Sequence, residues 1–178
     1  GWTKGPVKAT ITIKSNNGLA KIKPEGEEEI KVSGTEYTIT KENITENTTY
    51  KYEVTDSQGT TATKTVEINT IDTNAPADFS ITAENIAEGL KITGTTTDAE
   101  SGIDKYEYYA KKSTDGTYTK YDSNPITGLS SGTYSVYAIA YDKAGNTKQS
   151  NTVENVKVSA SYSNVTAQMV ANEPTKYY

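Results

Sequence analysis

Two stretches of this chain carry one pattern. Residues 50–61 read Tyr50-Lys-Tyr52-Glu-Val54-Thr-Asp56-Ser-Gln-Gly59-Thr-Thr61. Residues 136–147 read Val136-Tyr-Ala138-Ile-Ala140-Tyr-Asp142-Lys-Ala-Gly145-Asn-Thr147. Each is an alternating run, an Asp-x-x-Gly turn and the start of a second polar strand. Period-2 alternation puts one side-chain row on a buried face. The Asp closes the turn by binding its own backbone, and the Gly takes the positive φ that such a turn needs. Between the copies lies Ile71-Asp-Thr-Asn-Ala-Pro76. Pro fixes φ and lacks an N–H, so no strand should run through it. A strand–turn–strand unit used twice around such a joint predicts an all-β chain of two tandem sandwich domains. The expected bounds are 1–72 and 73–160, followed by a tail over 161–178.

Composition fits this division. Each half of the 178 residues is about the size of one small sandwich. The hydrophobic content of 33% is lean, and Tyr makes up for it, with fourteen against one Phe and one Trp. A Tyr buries a large ring while its hydroxyl reaches the wet edge, which suits a thin domain. Disordered chains lack β-branched and aromatic residues, whereas this one places Thr, Ile, Val and Tyr in alternating runs. The chain has no Cys and no His, which excludes a disulfide framework and any Cys/His zinc site. Its net charge of −5 argues against nucleic acid and anionic membrane as partners. No apolar run approaches a membrane span.

Strands are expected around Val7–Ile13, Leu19–Ile22, Ile30–Val32, Tyr37–Ile39, Tyr50–Val54 and Ala62–Ile68 in the first half. In the second they fall around Phe79–Ala83, Leu90–Ile92, Tyr106–Ala110, Tyr134–Ala140 and Val153–Val158. Glu88-Gly89 and Asp115-Gly116 are turn signals. No helix is expected in either domain. In the tail, Thr166 could cap one or two helical turns that stop before Pro174.

Candidate sites are few. Asp98, Glu100 and Asp104 flank one loop. Clustered carboxylates are calcium-type ligands, but the spacing is not that of an EF-hand and turn chemistry explains Asp there. No bound metal and no cofactor are expected. Asp56 and Asp142 are read as turn residues. Tyr118, Tyr121 and Tyr109, near the Asp115-Gly116 hairpin, could stack on sugar rings; the competing expectation is that they cover the outside or rim of a sheet. Catalysis without His or Cys would rest on acid pairs, Lys, Ser or Tyr. No nucleophile-elbow pattern is present, so no enzymatic activity is expected. Asn43, Asn47 and Asn164 stand in glycosylation sequons, read as chance in a Thr/Asn-rich chain.

The first half resembles bacterial immunoglobulin-like repeats of cell-surface proteins. The resemblance rests on Trp2-Thr-Lys-Gly5-Pro-Val7, on Glu46-Asn-Thr-Thr-Tyr50 through Gly59, and on Ile71-Asp-Thr-Asn-Ala-Pro76. The second half is similar to fibronectin type III and related sandwiches through Asp98-Ala-Glu-Ser-Gly102-Ile103, Ile126 to Tyr134, and Tyr141-Asp142-Lys-Ala-Gly145-Asn146. Tyr134 matches the tyrosine corner of such folds. The tail from Asn164 to Tyr178 is similar to a segment that introduces a further module in prepilin-like surface proteins of Gram-positive bacteria, which implies a chain continuing past Tyr178. These resemblances imply tandem immunoglobulin-like sandwiches at the bacterial cell surface, serving as a spacer, stalk or adhesion module that touches host or cell-wall glycan or protein and is monomeric in isolation. The alternative is a carbohydrate-binding ancillary region of a secreted glycan-degrading enzyme.

Overall fold

Alternation along the chain becomes fourteen strands in a computed structural model that describes residues 1–160. The expected helix near Thr166 and the further module over 161–178 lie outside the described residues. The first sandwich holds β1 (Val7–Lys14), β2 (Leu19–Pro24), β3 (Ile30–Lys31), β4 (Glu36–Ile44), β5 (Thr48–Asp56) and β6 (Thr61–Ile68). One sheet runs β3-β2-β5-β6, and β1 pairs with β4 to make the other. Every ladder in it is antiparallel. Ile11, Ile13, Leu19, Ile22, Tyr52 and Val54 fill the space between the sheets. Each wholly buried aliphatic side chain contributes about 1.5–3 kcal/mol.

The second sandwich holds β7 (Thr82–Ile86), β8 (Gly89–Thr93), β9 (Ile103–Lys112), β10 (Thr119–Tyr121), β11 (Ile126–Thr127), β12 (Gly132–Asp142), β13 (Thr147–Gln149) and β14 (Val153–Val158). A small sheet runs β11-β8-β7. The larger runs β10-β9-β12, and β13 and β14 pair with successive parts of β12. The strict alternation of β12 sends Tyr134, Val136, Ala138 and Ala140 inward. Tyr134, Val136 and Ala138 meet Ile81, Leu90, Ile92, Ala110, Ile126 and Leu129 in a core separate from that of the first sandwich. The Tyr134 hydroxyl donates to the Ser130 carbonyl at 3.0 Å, as a tyrosine corner does.

Pairing differs from the sequence expectation before β7. Phe79–Ile81 is not strand. The Ile81 N–H donates instead to Asn151 Oδ1 at 2.6 Å, and Asn151 Nδ2 donates to the Ile81 carbonyl at 3.3 Å. A carboxamide thus stands where a neighbouring strand would, and the apolar pattern is the same in either case.

Candidate functional site

Two places gather side chains beyond what a sandwich core requires: the joint, and the outer face of the larger sheet in the second sandwich.

At the joint the chain is held from both sides. Thr3 forms a parallel bridge with Ile71, and the Asp72 N–H donates to the Thr3 carbonyl at 2.9 Å. Asn47 accepts from the Ile71 N–H at 2.9 Å and donates to its carbonyl at 2.9 Å. These contacts fix the segment to the first sandwich. From the second, Ser101 N–H donates to Asp72 Oδ2 at 3.1 Å, and Asn146 Nδ2 donates to the Asp72 carbonyl at 3.0 Å. Ala77 N–H donates to the Thr97 carbonyl at 2.9 Å, and Asn74 Nδ2 donates to Glu100 at 2.8 Å. Pro76 is buried.

Asp72 is fully buried at the centre of this arrangement. Burial alone would push its carboxyl up, but the hydrogen bonds from Ser101 and Asn74 outweigh it and hold the group below its ordinary value. Asp98 and Asp142 join it, and one carboxylate oxygen of each lies within 4.8 Å of the others. Local chemistry places both. Asp98 Oδ1 accepts the N–H groups of Glu100, Ser101 and Gly102 at 3.1, 2.9 and 2.9 Å, closing its loop. Asp142 closes the repeated turn: Gly145, at φ +91°, donates to its carbonyl at 3.1 Å, and Asn146 N–H donates to Oδ1 at 2.8 Å. The other copy is built alike, with Gly59 at φ +85° and Asp56 Oδ1 accepting from Gln58 and Thr60. The second oxygen separates the copies. Asp56 Oδ2 takes Asn17, whereas Asp142 Oδ2 takes Asn146, which also grips the joint.

Three carboxylates this close are donors of the type hard cations use. Both oxygens of Asp72 and of Asp142, and one of Asp98, also accept N–H donors. Of the loop acids singled out from sequence, Asp98 enters the cluster. Glu100 turns to Asn74, and Asp104 is exposed on β9. The sequence reading missed Asp72 and Asp142 as partners; their signals were an Ile-Asp pair and an Asp-x-x-Gly turn, which the fold brings to the same end.

The second place is built on cross-strand register. Tyr109 of β9 stands opposite Tyr137 of β12, Glu107 opposite Ile139, and Lys105 opposite Tyr141. The Tyr109 and Tyr137 rings stack 4.9 Å apart at 8°, and Tyr118 meets Tyr137 edge-on at 4.8 Å. Glu107 is only 5% exposed although it points away from the core. Its Oε1 accepts from Lys105 and Lys120, both at 2.8 Å. Its Oε2 accepts from the hydroxyls of Tyr109 at 3.0 Å and Tyr141 at 2.8 Å. Lys105 and Lys120, more than burial or the two hydroxyls, set its ionisation and hold its carboxyl down at about 2. Lys105 lies over the Tyr141 ring at 4.6 Å and Lys111 over Tyr118 at 5.0 Å. Tyr109 and Tyr118 therefore share this face, while Tyr121 turns the other way and packs on the core. Tyr137 and Tyr141 belong to the group but were legible only as an alternating row, because register is not written in a single strand.

No family model matches the chain, and no curated protein matches it. Among solved structures it is similar to the fibronectin(III)-like modules of CbhA from Clostridium thermocellum, at 21% identity over 93% of this chain and 91% of that one, with a TM-score of 0.35. It is also similar to the human OSCAR ligand-binding domain, at 14% identity over 86% of this chain and 92% of that one, with a TM-score of 0.32.

Proposed function

We propose that this chain is a non-catalytic spacer of an extracellular bacterial surface protein, two sandwiches held in series to carry something outward. The observation behind this reading is the joint. Residues 70–77 are bonded to Thr3 and Asn47 on one side and to Thr97, Ser101 and Asn146 on the other. A tether left free would need none of these bonds. A spacer that transmits position or load needs a joint that resists bending. The sequence also lacks the His and Cys on which most acid–base and nucleophilic sites rely.

Backbone 15N relaxation on the full chain tests the spacer role. A stiff pair gives both sandwiches one overall correlation time. Asp72→Ala should separate the two values by releasing the joint. Independent tumbling of the parent halves would refute the role. Surface location is tested separately, by antibody labelling of intact cells of the source organism. A second reading, an ancillary region of a secreted glycan-degrading enzyme, draws support from the tyrosine face.

A further inference from the structure

We infer that the outer face of the larger sheet in the second sandwich, centred on Tyr109, Tyr137 and Glu107, is a binding site for an acidic polysaccharide, a glycan chain bearing carboxylate groups. The fold does not need this face to be aromatic. In the first sandwich the outward pairs of β5 and β6 are Thr49–Glu67, Lys51–Thr65 and Glu53–Thr63, all exposed and polar. That is what a sheet requires on its wet side. The outward pairs of β9 and β12 are instead Tyr109–Tyr137, Glu107–Ile139 and Lys105–Tyr141. Tyrosines scattered singly on a surface need no explanation; a contiguous group does.

The group is also held in place before any ligand arrives. Glu107, nearly buried, fixes the hydroxyls of Tyr109 and Tyr141, and these rings are braced by Tyr137 and by Lys105. Fixing side chains in advance removes an ordering cost from binding. From Tyr137 to Tyr141 the strand runs about 13 Å, long enough for a run of sugar rings.

The chemistry selects the ligand. Ile139 is the one aliphatic side chain among the six residues of these three outward pairs. The stacked rings offer carbon surface at their outer edges, and beside them stand hydroxyl oxygens that can still accept and the Lys111 ammonium, which matches a polyol. Charge decides the kind of polyol. Lys105, Lys111 and Lys120 stand against Glu107, against Asp122 just past β10, and against Glu154, which accepts from Ser135 opposite Lys111. Lys105 and Lys120 are already paired with Glu107 and Asp122, and among the described residues Lys111 is in no ion pair. Lys111 rests on a ring, free to meet a carboxylate.

This site uses the second sandwich alone, so its failure and that of the spacer reading are separable. The test is affinity electrophoresis and calorimetry of the full chain against polygalacturonate, alginate and hyaluronate. Fully methyl-esterified pectin and hydroxyethylcellulose serve as neutral polymers. Binding is expected to at least one acidic polymer and to weaken as salt rises. It should fall at least tenfold with Tyr137→Ala and with Lys111→Glu, the latter an exposed-end change that leaves the ring stack in place. Lys51→Ala, on the first sandwich, should leave it unchanged. No binding to any of the three acidic polymers would overturn the inference. So would equal binding to the neutral ones, or binding indifferent to both second-sandwich variants. Dimerisation of the parent in sedimentation, lost on Lys111→Glu, would assign the face to a second copy of the chain instead.

Discussion

Asn47 holds Ile71 by both halves of one peptide: its Oδ1 accepts from the Ile71 N–H and its Nδ2 donates to the Ile71 carbonyl, each at 2.9 Å. A carboxamide has the same donor and acceptor as a backbone peptide, so it can act as a strand one residue long. Asn124 does this for Ile92, and Asn151 for Ile81. All three isoleucines are buried where a ladder stops or is missing. The sequon at Asn47 therefore has a structural reason to carry Asn that owes nothing to a glycan.

Removing this grip should be costly. Asn47→Ala leaves the N–H and carbonyl of a residue that is 3% exposed without partners. The expected loss is about 1–3 kcal/mol, the penalty for an unsatisfied buried polar group. Chemical denaturation of the variant measures it. A midpoint equal to the parent's would mean water replaces the side chain at no penalty.

Two buried tyrosines should respond in opposite ways to loss of the hydroxyl. Tyr134 donates to the Ser130 carbonyl, so Tyr134→Phe should cost about 1 kcal/mol. Among the described residues the Tyr52 hydroxyl is buried without a partner, so Tyr52→Phe should be neutral or stabilising. Thermal midpoints of the two variants decide the matter; the reverse order would contradict both assignments.

Acid should weaken the second sandwich through Glu107. Its carboxyl is held at about 2 in the fold against 4.5 for the free group. A depressed value stabilises the fold above the unfolded value, and that contribution is lost as pH falls from about 4.5 towards about 2. Asp72, also depressed, acts in the same direction. Glu107→Gln should flatten the stability profile in that window, read as denaturation midpoints between pH 5 and 2. An unchanged slope would show that the lysine pair does not couple to folding.

Calcium should leave the melting midpoint where it is. The oxygens of Asp72 and Asp142 are engaged by N–H donors. Melting in millimolar calcium against chelator is the measurement. An ion at about 100 times its dissociation constant would add roughly 2.7 kcal/mol. A rise of that scale, abolished by Asp98→Asn, would make the trio a metal site.

How far the sequence could be read follows from which interactions are local. Alternation located β12 and its inward row, because a strand's two faces are set by its own residues. The repeated turn was legible for the same reason, since Asp56 and Asp142 bind backbone within four residues. The segment Phe79–Ile81 was read as strand because its apolar pattern is right; only the distant Asn151 shows that no strand lies beside it. Asp72 and Asp98 are neighbours through folding alone, and so are Tyr109 and Tyr137. Tyr121 turns from this face because β10 sends it and its neighbour Lys120 to opposite sides of the sheet.

The double hold on Asp72 bears on how such chains are assembled by recombination. Its N–H donates to Thr3 of the first sandwich, and its Oδ2 accepts from Ser101 of the second. A cut made anywhere between Ile71 and Pro76 would give each product half of a lock. The portable cassette is then a sandwich together with the loops that receive its neighbour, here Asp98–Gly102 and Asp142–Asn146. A foreign domain spliced in with the correct linker but without those loops should fold and still hang loose.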